Sequence, residues 1–395
     1  MTRNIAVLAL SQAFFMCIQT MAIATTPLAA YAMLGVDKSL ATLPLVLTHV
    51  GIMLTTIPAS LLMARIGRRA GFSLGALLGV ASGIVSVTAI YEQSFALLCL
   101  GSLLQGMCAA FAWYFRFAAA DAATERNRAK AIALVMAGGV VAGVLGPETA
   151  KYAVDWLNPV MFAGVYLMVS AYAAVVFVLM QALRIPGLTP EQKASSGRRM
   201  SEIVRQPAYV VALLSSMFGY AVMTLIMSAT PLAMLACGFG FSDSATVIQW
   251  HVIAMFLPSF FTGHLIVRFG VLPIIAIGAL LQLGCAVVNL AGIDFANFMI
   301  ANILVGLGWN FTYVGGSALL TETYAPSERA KVQASHDFTV YAATAFAAGL
   351  SGVLQAGPGW QFVNWASIPM MAIVIAAVLW LASARRRGPQ AVPAE

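Results

Sequence analysis

Apolar runs of twenty or more residues recur from one end of this chain to the other. Each is long enough to cross the hydrocarbon core of a bilayer as a helix. In hydrocarbon only helices and closed barrels satisfy their own backbone polar groups, so runs of this length commit the chain to helices. Twelve segments are read, at roughly 5–33, 41–65, 70–91, 95–121, 128–152, 158–183, 208–238, 242–267, 271–292, 296–322, 330–354 and 361–383. With 61% hydrophobic and 9% charged residues among 395, too little charge remains to solvate a soluble domain of this size. The first segment has only Arg3 ahead of it and exceeds a signal-peptide core, so it is read as a retained helix.

The net charge of +7 is unevenly placed. Arg65, Arg68 and Arg69 fall between the second and third segments, and Arg126, Arg128 and Lys130 follow the fourth. Arg184, Lys193, Arg198, Arg199 and Arg205 surround the central loop, while Arg268, Arg329, Lys331 and Arg385 to Arg387 complete the set. If the helices alternate, these share one side and only Lys38 and Lys151 lie on the other. The positive-inside rule then puts both termini and the central loop in the cytoplasm of a bacterial inner-membrane, multi-pass protein. The charge reports topology and gives no reason to expect nucleic-acid binding.

One long polar stretch, "RIPGLTPEQKASSGRRMSEIVRQ" at 184–206, divides the segments into six and six. The expected organisation is a first bundle over 1–183, a cytoplasmic linker over 184–207, and a second bundle with a short tail over 208–395. The halves echo each other. "TPLA" at 26–29 returns at 230–233, "RIG" at 65–67 as "RFG" at 268–270, and "RAKA" at 128–131 as "RAKV" at 329–332. The offsets of 204, 203 and 201 are nearly constant, which argues for a duplicated six-helix unit. Parallel six-helix repeats are the plan of major facilitator transporters. "PASLLMARIGRRAG" at 58–71 resembles that superfamily's loop between helices two and three. Arg65, Gly67, Arg68 and Arg69 fit the pattern, but Ala64 stands where an aspartate is usual. Asp121 and Glu125 are the acids that could replace it.

"HVIAM" at 251–255 places His251 and Met255 one helical turn apart. The histidine falls roughly 6 Å from the midplane at 1.5 Å per residue. On the preceding segment Met223 and Met227 are also one turn apart, and Met234 and Cys237 follow. Twenty methionines make an MxxxM pair unremarkable, but four histidines predict only about 0.2 HxxxM pairs by chance. There are two, the second being His49 and Met53, with Cys17 and Met21 on the neighbouring first segment. Methionine is also a common core filler, and a transmembrane histidine can simply bond a neighbouring helix. Thioether and imidazole nevertheless form a ligand set that selects Cu(I) over hard cations.

The MxxxM and HxxxM pairs in this frame resemble the CcoA-like copper importers of the major facilitator superfamily, and the resemblance extends along the whole chain. It implies a secondary transporter importing copper, most simply Cu(I), to supply cbb3-type cytochrome c oxidase assembly. The ion would be bound by Met223, Met227, His251 and Met255. Cys17, Met21, His49, Met53, Met234 and Cys237 are candidates for an auxiliary metal site. Neighbouring branches of the family carry riboflavin, and "YFRFAAADAA" at 114–123 and "MAGGVVAGVLGPE" at 136–148 look like stretches common to both. An organic-solute carrier is therefore the alternative, and a non-transporting copper-binding assembly factor a third class.

Other charged candidates lie near the cytoplasmic ends. Arg116 and Asp121, five apart, read as a gating or coupling pair or as a structural arginine, with Arg65 on the adjoining loop. Glu148 is read as exposed to a periplasmic vestibule. His336 and Asp337 could pass a proton or ion, but a solvated helix start is the preferred reading. Small residues in "GLGWNFTYVGG" at 306–316 are expected to admit close helix packing. The five cysteines show no CxxC and read mostly as small buried hydrophobes. With no Walker motif, nucleotide-binding domain or catalytic constellation, the chain is expected to be a carrier with no enzymatic activity and no prosthetic group. It is expected as a monomer in the lipid bilayer, with the copper ion and a cytoplasmic copper acceptor as partners.

Overall fold

The computed structural model describes residues 3–34, 40, 43–185 and 197–387. Lys38 and Lys193 therefore lie outside the described residues. Among these, twelve helices are long and apolar enough to cross a membrane, the number read from the sequence.

The first seven helices are α1 (Arg3–Met33), α2 (Leu43–Ile66), α3 (Arg68–Tyr91), α4 (Phe95–Ala112), α5 (Phe115–Asp121), α6 (Arg128–Ala153) and α7 (Ala163–Gln181). A short α8 (Met200–Ile203) precedes α9 (Pro207–Ala236), α10 (Phe241–Phe256), α11 (Ser259–Phe269), α12 (Val271–Ala291), α13 (Phe295–Leu320), α14 (Arg329–Ala356) and α15 (Trp360–Arg387).

Two spans expected as single helices are each broken once. The fourth divides at Trp113 and Tyr114 between α4 and α5. The eighth divides at Leu257 and Pro258 between α10 and α11. Proline has no N–H and its ring crowds the preceding turn, so the second break follows from the residue itself. The Pro258 carbonyl starts the new helix, accepting from the Phe261 and Thr262 N–H groups and from the Thr262 hydroxyl (2.9 Å).

The repeated loop motif has a matching backbone. Gly67 between α2 and α3 adopts φ 89, and Gly270 between α11 and α12 adopts φ 88. Side chains are strained in that region, so glycine at both places is a geometric requirement of the turn.

The chain forms two compact units, the first being Met1–Ser196 with Pro326–Ala345 and the second Gly197–Ala325 with Phe346–Glu395. In the first unit α1 packs on α6 and α7, α2 on α4, and α3 on both α4 and α7. The first turns of α14 belong to this unit. In the second unit α13 is central: α9, α10 and α12 all pack on it, and α15 closes against α9 and α12. Small residues make this possible. A Cβ at Gly308 would meet the Gln282 side chain of α12, and one at Gly306 would come 2.8 Å from the His251 carbonyl oxygen of α10.

Candidate functional site

His251 sits on the seam between α10 and α13. Its imidazole is fully buried, and Nδ1 lies 2.9 Å from the backbone carbonyl oxygen of Asn302. A carbonyl can only accept, so Nδ1 carries the proton and donates it. The tautomer leaves Nε2 with a lone pair, and that atom is buried with no hydrogen-bond partner. Most buried polar atoms are paired, and one left open calls for an explanation.

The seam carries more of the same. Asn302 donates to the Phe298 carbonyl (3.0 Å) and to the Thr230 hydroxyl of α9 (3.2 Å), while its Oδ1 has no partner. One turn beyond His251, Asn310 donates to the Met255 carbonyl (2.7 Å) and contacts the Ser259 hydroxyl (2.5 Å). Thr262 in turn donates to Asn310 Oδ1 (2.6 Å). These bonds tie the broken end of α10 and the start of α11 to α13.

An aromatic cluster adjoins the seam. Trp309 and Tyr313 stack with ring centroids 5.0 Å apart at 19°. Tyr220 of α9 stands edge-on to both, and Phe256 of α10 edge-on to Trp309. Trp309 is fully buried, and its indole Nε1 has no partner. The seam therefore holds two unpaired acceptors, on His251 and Asn302, and one unpaired donor, on Trp309.

Met223 and Met255 are buried and Met227 is half-buried. Their helices, α9 and α10, pack against each other and both against α13. Among the described residues no group of three or more His, Cys, Asp or Glu side chains is placed to hold a metal ion. A metal on this seam would rest on one imidazole and on methionine sulfur.

The remaining metal candidates are dispersed. Met234 is fully buried in apolar packing with Ala233, Val247 and Phe298, and Cys237 is exposed. Met21 is fully buried in the apolar core of the first unit, beside Ile18 and Ala89, and Cys17 is buried too. His49 and Met53 are half-buried on α2. The His49 ring bonds the Leu45 carbonyl of its own helix (3.0 Å), whereas its repeat counterpart His251 bonds across to a second helix.

The charged candidates of the first unit form a ladder on α14. Arg329, Gln333, Asp337 and Tyr341 are spaced four apart, which aligns them along one helix face. Arg329 lies 3.3 Å from Asp121. Gln333 accepts from Arg68 (2.8 Å), which also donates to Asp121 (3.0 Å). Asp337 accepts from Arg116 through both carboxylate oxygens, at 2.6 and 2.8 Å. The Tyr341 ring meets that of Trp113 at 5.9 Å.

This arrangement corrects two expectations and decides between two alternatives left open. Arg116 and Asp121 are not partners, because residues five apart on a helix point about 140° away from each other. Of the two acids open for the loop between α2 and α3, Asp121 pairs with Arg68, whereas Glu125 is exposed. His336 and Asp337 are fully buried, Asp337 ion-paired with Arg116 and hydrogen-bonded to the His336 ring, so they do not form a solvated helix start. Their charge in a membrane-spanning run was itself a sign of function or pairing. Nothing local in the sequence points 221 residues back to Arg116. Arg65 and Glu148 are exposed.

Known proteins agree with this architecture. The Major Facilitator Superfamily profile matches residues 8–288 and 213–395. The chain is 38% identical over 375 residues to the Riboflavin transporter RfnT of Brucella anthropi, covering 94% of each chain. It is 28% identical over 370 residues to the uncharacterized MFS-type transporter YddS of Bacillus subtilis, covering 89% of this chain and 85% of that one. Among solved structures, the Major Facilitator Superfamily transporter FucP in its outward conformation superposes with a TM-score of 0.78. At 15% identity, over 95% of this chain and 98% of that one, this likeness speaks for the fold alone. Twelve apolar helices, a matching loop in each half and these full-length relatives make the chain a multi-pass membrane carrier that belongs to the Major Facilitator Superfamily.

Proposed function

We propose that this secondary transporter carries a neutral, planar organic solute of the riboflavin class across the bacterial inner membrane. The observation that carries the reading is the full-length likeness to a riboflavin transporter. The α10–α13 seam supports it. Ligand sites for such solutes combine aromatic walls with a few well-placed polar atoms. The Trp309–Tyr313 stack beside unpaired His251 Nε2, Asn302 Oδ1 and Trp309 Nε1 has that composition. All the polar side chains in this set are uncharged amides, hydroxyls, indole or imidazole, which suits a solute with an imide and hydroxyls. A site built to pair such groups rejects solutes that lack them, because its own polar atoms are then left unpaired. The distribution of Lys and Arg supports cytoplasmic termini.

A second reading, copper as the transported substrate, is favoured by the His251 geometry. Metal-binding histidines donate one ring N–H to a carbonyl or carboxylate and present the other nitrogen as a lone pair. His251 does so toward Asn302, with the sulfur of buried Met255 one turn away and that of Met223 on the helix packed alongside. Neutral thioether and imidazole ligands are the set expected for Cu(I). Uptake of radiolabelled riboflavin and of radiocopper by proteoliposomes separates the two. Saturable riboflavin uptake unaffected by copper chelation supports the first reading, and saturable copper uptake without riboflavin uptake replaces it with the second.

A further inference from the structure

We propose that His336 is a proton-binding site of this carrier. Nε2 would be the atom that takes up the proton, and Asp337 the charge that balances it.

The ring of His336 is fully buried in the first unit, and Nδ1 lies 2.8 Å from Asp337 Oδ1. Asp337 already accepts two bonds from Arg116 through both of its oxygens. Arg116 also donates to the Trp113 carbonyl, and its guanidinium lies 4.3 Å from the Phe117 ring centroid. Both carboxylate oxygens are thus occupied by donors, and Nδ1–H is the third of them. The imidazole is held as the Nδ1–H tautomer, and its Nε2 is buried with no partner. A lone pair on a fixed ring can accept a proton where a neighbouring carboxylate offsets the cost of burying the imidazolium.

The titratable and charged groups of the surrounding first-unit network come from three elements. Arg116 and Tyr114 come from the broken fourth span, Arg68 from α3, and Arg329 from α14 itself, with Asp121 between the two latter arginines. The buried Phe117 ring stands edge-on to the imidazole, with centroids 6.4 Å apart. Before loading, Arg116 and Asp337 cancel and His336 is neutral. After loading, the imidazolium faces the Asp337 carboxylate at the same hydrogen bond. The step is a single proton moving from water on one side of the membrane to the Nε2 lone pair, and later to water on the other. No other bond forms or breaks.

His251 is the internal contrast. It has the same Nδ1 anchor and the same open Nε2, but a carbonyl in place of a carboxylate. With no anion at its anchor it suits a neutral partner, whereas His336 has the counter-charge a proton requires.

Two measurements test this, and the first requires no substrate. In histidine-labelled protein in lipid nanodiscs scanned from pH 9 to pH 5, nitrogen NMR should include a ring signal of His336 that passes from the Nδ1–H tautomer to imidazolium. That signal should vanish in His336→Asn, whose amide can still donate to Asp337. A His336 ring that stays in one state across this range overturns the proposal. In the second, proteoliposomes with the membrane potential clamped and one unit more acid outside are given riboflavin or Cu(I). The wild type should accumulate its solute about tenfold, the limit for one proton per solute. His336→Asn should only equilibrate it, while solute counterflow stays within about twofold of wild type, since exchange needs no net proton movement. Retained accumulation in the variant, or loss of counterflow together with accumulation, contradicts proton binding at this residue.

Discussion

His251 Nδ1 lies 2.9 Å from the carbonyl oxygen of Asn302, and this one bond decides what the rest of the ring can do. It fixes the tautomer, orients Nε2 and leaves that nitrogen buried without a partner. Because the acceptor is a backbone atom, no side-chain substitution at residue 302 removes it.

The role of Nε2 can be isolated from that of the anchor. His251→Asn keeps an amide donor toward the Asn302 carbonyl and deletes the distal nitrogen. Protein abundance should stay near wild type, because losing an unpaired atom removes no bond. Uptake should fall by about tenfold or more, the worth of one buried hydrogen bond to the solute, on the order of 1–3 kcal/mol. Unchanged kinetics in this variant would show that Nε2 never meets the solute.

Met255→Leu and Met227→Leu discriminate sulfur ligands from packing. The exchange approximately preserves volume, so stability should fall by less than about 1.5 kcal/mol. Under the organic-solute reading transport survives in both variants. Loss of copper uptake at normal protein abundance in both would instead identify the sulfur atoms as ligands.

Close helix contact at α10–α13 is testable with one methyl group. Gly306→Ala puts a Cβ 2.8 Å from the His251 carbonyl oxygen and 3.1 Å from the Met255 backbone nitrogen, and neither backbone atom can move aside cheaply. Thermal denaturation in detergent should report a loss of about 1–3 kcal/mol, with transport reduced. Gly349→Ala on α14 meets nothing within 4 Å and should be neutral or slightly stabilising. Equal effects of the two would contradict the packing described.

Asp121 holds both Arg68 and Arg329 while only 11% exposed. Asp121→Asn leaves two guanidinium groups facing each other without their carboxylate. The cost approaches the about 3–5 kcal/mol seen when a buried pair loses one partner. A melting temperature unchanged in this variant would show that the network contributes nothing.

The orientation is checked from outside the cell. Glu92, exposed between α3 and α4, and Asn127, exposed before α6, lie at opposite ends of the fourth span. With cytoplasmic termini, an impermeant thiol reagent should label Glu92→Cys in intact cells and spare Asn127→Cys. The reverse pattern inverts the topology.

The large features were legible because they repeat. Twelve apolar runs announce twelve spans, and "RIG" with "RFG" announces two turns that share a glycine conformation at Gly67 and Gly270. The pairings were less legible, since a bond between distant spans leaves no local mark. Arg116 was read with Asp121, its neighbour in sequence, although its carboxylate is Asp337. The partner of His251 is a backbone carbonyl, which no side-chain pattern can reveal. The break at Trp113 and Tyr114 contains neither proline nor glycine, unlike the break before Pro258, so only the second had a signal. The His49 and His251 motifs look equivalent in sequence, but one ring bonds its own helix and the other a neighbour.

The substrate is tested most directly by uptake into proteoliposomes containing the purified chain, with riboflavin and radiocopper assayed on the same preparation and His251→Asn beside the wild type. The account predicts saturable riboflavin uptake that falls by about tenfold or more in His251→Asn and is indifferent to a copper chelator. Saturable copper uptake that depends on His251, Met227 and Met255, with no riboflavin uptake above empty liposomes, would contradict it.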